Sequence, residues 1–171
     1  MEKQMKLFRN TGSKKEGLST HIFPKSGLIG VDYETNSDSL WKVSSEMALE
    51  KFKELYFSPT YIKNLLDFTR NNSFTHVSEI IFSSEPDIDL EINDLLKAFY
   101  SEEDSMRNTH LSNKLVDLLY ESNVTQVSIF NTQRIPGAII NIYQAGLVHL
   151  TDRSGIGDLD WLDDILNEVI T

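Results

Sequence analysis

The sequence predicts an α+β fold, an antiparallel sheet packed with several helices, and three observations carry that prediction. Short β-prone runs stand near the start, several stretches with helical apolar spacing fill the middle, and after Asn123 three β-prone runs follow in succession before a last amphipathic segment. Strands and helices are segregated rather than alternating, so a parallel βαβ architecture is not expected. At 171 residues, 40% hydrophobic and 25% charged, the chain has the size and composition of one globular domain, residues 1–171.

Taken in order, residues 1–17 read as a flexible basic N-terminal segment, with Asn10 to Gly17 rich in turn formers. Ser19 to Phe23 and Leu28 to Tyr33 follow as short strands around Pro24 and Ser26-Gly27, which predicts a hairpin. Val43 to Tyr56 places Val43, Met47, Phe52, Leu55 and Tyr56 on a helical face, with Ser44 or Ser45 as N-cap. Ser58-Pro59 restarts a helix, Ser58 capping and Pro59 at the first helical position, with Tyr61, Ile62, Leu65, Leu66 and Phe68 as its buried stripe and Asn71-Asn72 as its stop. Residues 74–82 fit both periods: Phe74, Val77, Ile80 and Ile81 match a helix while the β-branched content favours a strand, and the reading leans to helix.

Asp87 or Asp89 caps a helix through Tyr100 that buries Ile88, Ile92, Leu95, Leu96 and Phe99, and another helix covers His110 to Glu121 with Leu111, Leu115, Leu118 and Leu119 inward. Val124 to Asn131, Ala138 to Tyr143 and Leu147 to Thr151 then form a three-strand meander, the last two joined by Gln144-Ala145-Gly146 with glycine at the positive-φ position. Asp158 to Ile170 closes the chain as a helix with a broad apolar stripe.

Charge is the most informative quantity. Sixteen Lys and Arg against 26 Asp and Glu give a net charge of −10, unevenly distributed. Residues 1–25 hold six bases and two acids, a balance of +4, which leaves −14 on the rest. A body this acidic repels phosphate backbones, so direct nucleic-acid binding is disfavoured. The same field draws in a cationic surface and raises its association rate by about 10- to 1,000-fold at low salt, so the expected partner is a basic protein. Eight carboxylates stand between Glu85 and Asp104 (Glu85, Asp87, Asp89, Glu91, Asp94, Glu102, Glu103, Asp104) and six between Asp152 and Glu168. Taken singly, such acids are solvated helix faces and first turns that favour the helix dipole; their density in two clusters marks them as candidate contacts.

Motifs for chemistry are missing. The absence of cysteine excludes disulfides, thiolate metal sites and a cysteine nucleophile, and four histidines leave little for a zinc cluster. The run from Asp152 to Asp163 resembles a calcium loop but puts Ile156 and Asp163 at two defining ligand positions, so no metal is expected there. Gly155-Ile156-Gly157 lacks the third glycine and the βαβ setting of a nucleotide fingerprint. His149, Asp152 and Ser154 are too close along one strand end to converge as a catalytic set, and 26 acids make glycosidase-like carboxylate pairs by chance alone. No catalytic residue, metal or cofactor is therefore expected. Trp161 reads as core, whereas Trp41 is balanced between core and an exposed anchor for a cationic partner. Neither an apolar run of about 20 residues nor an apolar signal segment is present, which points to the cytoplasm.

In its opening Lys6-Leu7-Phe8-Arg9-Asn10 and Ser26-Gly27-Leu28-Ile29-Gly30-Val31, its helical middle and its two acidic clusters, the chain resembles immunity proteins of contact-dependent growth inhibition. The resemblance implies a cytoplasmic, non-enzymatic inhibitor that binds the C-terminal toxin domain of a cognate effector, often a nuclease with a basic cleft. No binding residue is carried over from the family. From charge alone the candidate contacts are the eight acids from Glu85 to Asp104, followed by Asp158, Asp160, Asp163 and Asp164. Size and charge also suit an acidic dimeric chaperone for a secreted effector, and a small hydrolase is a third possibility; the oligomeric state is open.

Overall fold

The computed structural model describes residues 2–9, 18–34, 37–82, 86–102, 105–133, 137–151 and 158–170. In chain order the elements are β1 (Glu2–Arg9), β2 (Thr20–Phe23), β3 (Leu28–Asp32), α1 (Ser37–Leu49), β4 (Lys53–Glu54), α2 (Pro59–Arg70), β5 (Thr75–Phe82), α3 (Pro86–Ser101), α4 (Ser105–Glu121), β6 (Val124–Asn131), β7 (Ala138–Tyr143), β8 (Leu147–Thr151) and α5 (Asp158–Ile170). The eight strands make one antiparallel sheet in the order β2-β3-β1-β8-β7-β6-β5, with β4 beside β1. The α+β class holds, and the hairpin and the meander are halves of a single sheet.

The strand that joins those halves is β1, and here the expectation of a flexible N-terminal segment fails for residues 2–9. Glu2 to Lys6 pair with β8 and Met5 to Arg9 with β3, while Phe8 and Arg9 also meet β4. Strand alternation sends Met5 and Leu7 into one core and Phe8 into another on the opposite face. Lys6 lies between them, itself 3% exposed, and its ammonium meets Glu54 Oε2 at 3.1 Å and the carbonyl of Ala145. A central strand with a paired lysine reads as surface when charge alone is scored. Residues 10–17 lie outside the described residues.

Residues 74–82 are also corrected: they form β5, not a helix. A register shift between Val77 and Glu79 inserts an extra residue, so the buried positions run Thr75, Val77, Ile80, Phe82. The bulge turns a period of two into spacings of two and three, which imitates a helical stripe. Its outer edge meets side chains instead of another strand. Asn93 Oδ1 accepts from Ile80 N–H at 3.2 Å, Asn93 Nδ2 donates to Ile80 O at 3.3 Å, and the Tyr100 hydroxyl accepts from Val77 N–H at 3.0 Å.

The helix expected over Val43 to Tyr56 starts earlier, at Ser37, and stops at Leu49, so neither Ser44 nor Ser45 caps it. Phe52 N–H reaches Met47 O and Lys51 N–H reaches Ala48 O, both at 3.0 Å, which is the paired closure of a Schellman cap with Lys51 at φ 64° in the left-handed position. Phe52 and Leu55 are buried, but from the connection into and out of β4. The start of α2 is as expected: Ser58 Oγ accepts from Tyr61 N–H at 3.4 Å and Pro59 follows it.

Helices α2 to α5 cover one face of the sheet, where Leu65, Ile92, Leu115 and Leu162 pack with Met5, Val127, Ile140 and Val148. Helix α1 covers the other face at the β1–β3 end through Val43, Met47, Phe8, Ile29 and Val31. Gly146, at φ 72°, closes the β7–β8 turn so near the chain leaving β4 that a Cβ there would stand 2.0 Å from Leu55 O. Among the described residues no helix is long and apolar enough to cross a membrane.

Candidate functional site

Helix α5 shows how burial divides neighbouring acids. Leu162, Ile165, Leu166 and Val169 enter the core, which leaves Asp160, Asp164 and Glu168 exposed along one line at four-residue spacing. Asp163, on the flank toward the β2–β3 turn, is 3% exposed. Its carboxylate accepts from Lys25 N–H and Ser26 N–H at 3.0 Å each and from Ser26 Oγ at 2.8 Å. Asp163 is thus a clamp between the last helix and the first hairpin, and it is withdrawn from the candidate contact surface. Asp164 binds the Lys25 ammonium in solvent, and that bond, opposed by burial and aided by the charges of Asp164, Asp163 and Asp160, holds the lysine above its ordinary pKa.

The exposed line on α5 leads into a cleft against α2. Asp67 and Glu168 line it with Asn64, Asn71, Asn72 and Phe68, around a volume of about 490 Å³. Lys63, one turn before Asp67, bonds its carboxylate along the helix. Amide oxygens and two carboxylates make the cleft suited to a guanidinium or ammonium group brought by another molecule.

The first cluster is arranged differently. Glu91 on α3 pairs with Lys114 on α4 at 2.8 Å, and Asp94 pairs with Lys97 at 3.0 Å, all four well exposed. Glu102 is half-buried at the end of α3, where its carbonyl accepts from Asn108 Nδ2. Asp87 and Asp89 lie on α3 and Asp158 opens α5, with side chains outside the described residues; Glu85, Glu103 and Asp104 fall outside them altogether. Across the helical layer α3 packs on α4, α4 on α2, and α2 on α5, so the two clusters stand on opposite flanks and form separate surfaces.

Charge-based reading counted Glu168, four residues beyond Asp164, in the second cluster but left it out of the candidate contacts, and it overlooked the exposed pair Asp117 and Glu121 on α4. Trp161 is core, 8% exposed, and its Nε1–H donates to Thr75 Oγ1 at 3.3 Å. Trp41 is 74% exposed on α1 and Leu49 81%, but α1 covers the sheet face away from α2 and α5, so this apolar pair does not adjoin the acidic line. His149 faces Gln4 and Asn141 across the sheet, while Asp152 and Ser154 lie outside the described residues. Among the described residues no group of three or more His, Asp and Glu is placed to hold a metal ion.

Compared with known proteins, the chain matches no family model, no curated protein and no solved structure.

Proposed function

We propose that the chain is a cytoplasmic immunity protein, a non-enzymatic inhibitor that binds a cognate toxin domain, a basic nuclease, and covers its substrate surface. The observation that carries this reading is the exposed line Asp160, Asp164 and Glu168 leading into the Asp67 cleft. Three carboxylates at helical spacing imitate the regular negative charge that a nuclease cleft is built to receive, and the cleft offers an end-stop for one cationic side chain. Acids on the rim act mainly on encounter: they raise the association rate and make it fall with salt. On α3, Glu91 and Asp94 are each paired with a lysine, as Asp164 is with Lys25 and Asp67 with Lys63, which leaves Asp160 and Glu168 on α5 to carry most of such a field.

The test is coexpression with the C-terminal domain of the protein encoded immediately upstream, scored by growth and by recovery of a complex. Rescue of growth with a one-to-one complex supports the reading. Absence of toxicity and of binding would remove it.

A further inference from the structure

A cavity of about 560 Å³ opens where the C-terminal turns of α2 and α3 meet the start of β5. Its lining includes Arg70, Lys97 and His76 and, among the described residues, no carboxylate, in a chain whose acids outnumber its bases 26 to 16. Cations at helix C-termini ordinarily complement unsatisfied carbonyls. Here several of those carbonyls have other donors. Asn108 Nδ2 donates to Phe99 O and Glu102 O at 3.0 and 3.1 Å, Ser101 Oγ donates to Lys97 O at 2.7 Å, and Asn71 Nδ2 donates to Asp67 O at 3.0 Å. The backbone N–H groups of Asn71 and Asn72 take Phe68 O and Thr69 O at 3.2 Å.

The basic side chains are therefore available to a ligand. The Arg70 guanidinium lies over the Phe99 ring at 5.5 Å, and it makes no hydrogen bond or ion pair among the described residues. Lys97 donates one hydrogen bond to Asp94, whose carboxylate does not line the cavity, and that pair is more than three-quarters exposed and weak. The wall is pre-formed. The His76 ring is held edge-on by Tyr100 and Phe130 at 6.0 and 5.5 Å, and Tyr100 is pinned by Thr69 Oγ1 at 2.6 Å and by the bond from Val77 N–H.

We infer that this cavity binds a phosphorylated small molecule, with Arg70 and Lys97 holding its phosphate beside His76. A phosphate monoester carries up to two negative charges and offers a fork-shaped donor several oxygens, which suits two cations from separate helices. The volume lies within the range of small-ligand sites, about 300 to 1,000 Å³, and exceeds what a bare phosphate fills. This inference is independent of the inhibitor reading.

The test is calorimetric titration of the whole chain at low ionic strength with inorganic phosphate and with ribose 5-phosphate. Saturable one-to-one binding is expected, weaker by about tenfold or more in the R70Q/K97Q double variant and weaker to a smaller degree in K97Q alone. A Lys114→Gln control, on another surface, should titrate like the unaltered chain. Both altered positions are exposed, so the melting temperature should be unchanged. No saturable binding of either compound, or equal binding by R70Q/K97Q, would overturn the site, and ribose 5-phosphate binding no tighter than phosphate would overturn its assignment to an organic phosphate.

Discussion

Lys6 Nζ lies 3.1 Å from Glu54 Oε2, on the sheet face that Phe8 shares. The pair joins β1 to β4, and the same ammonium reaches Ala145 O in the β7–β8 turn and lies 5.3 Å from the Tyr56 ring. Three segments distant in sequence, β1, the β4 region and the β7–β8 turn, are therefore tied through one charge. Glu54→Ala strands that charge in the interior and should cost about 2 to 3 kcal/mol, less than a fully buried pair because Glu54 is partly exposed. Lys6→Met combined with Glu54→Leu should cost less than Glu54→Leu alone. A double-mutant cycle in urea checks this; additive losses would show that the pair is not coupled.

The same carboxylate sets a pH dependence. Burial pushes the Glu54 pKa up, but the bonds from Lys6, Ser44 and Tyr56 and the Lys6 charge outweigh it, and the net shift is downward. A carboxyl more acidic folded than unfolded stabilises the fold above its unfolded pKa, and that contribution is lost as pH falls through the folded one. The stability difference between the unaltered chain and Glu54→Gln should therefore shrink between about pH 6 and about pH 3, read from urea midpoints. A constant difference over that range would contradict the assignment.

Asp163 and Asp164 are neighbours with opposite roles. Asp163→Ala removes a buried acceptor of three hydrogen bonds and should cost about 2 to 3 kcal/mol. Asp164→Ala loses a solvent-exposed pair and should change stability by no more than about 0.5 kcal/mol. Thermal unfolding of the two variants separates them, and equal losses would place Asp163 at the surface after all.

Lys51 occupies a left-handed backbone position at φ 64° at the end of α1. Lys51→Gly should stabilise the protein by about 0.5 to 1 kcal/mol, the relief of backbone strain exceeding the added freedom of the unfolded chain. A higher urea midpoint with an unchanged slope is the expected result.

Substitution of the exposed acids tests the inhibitor reading by rate. Asp160→Lys, Asp164→Lys and Glu168→Lys together should slow association with the toxin domain by about tenfold or more at low salt, with a smaller effect as salt rises. Unchanged association kinetics would move the interface away from α5.

The closing helix and the meander were legible because their apolar patterns are regular: Val124 to Asn131, Ala138 to Tyr143, Leu147 to Thr151 and Asp158 to Ile170 begin and end where periodicity and glycine place them. What escaped did so for stated reasons. The bulge at Val77–Glu79 disguised a strand, and Lys6 disguised a central strand because its partner, Glu54, is 48 positions away. The fates of Asp163 and Asp164 depend on a turn 138 residues earlier, and the Arg70–Lys97 cavity is assembled from helix ends that no local pattern connects.

Asn93 and Tyr100 give the sheet unequal ends. At β5 they occupy backbone groups that another strand would need, whereas β2, only four residues long with Ile22 57% exposed, pairs with β3 alone. Endless polymerisation by addition at the two end strands needs both open on every copy, and among the described residues only β2 is. Copies that join through these end strands meet β2 to β2, and such a meeting is finished at two. Growth beyond a pair awaits the loss of Asn93: with Asn93→Ala, light scattering should rise on incubation while the unaltered chain stays clear.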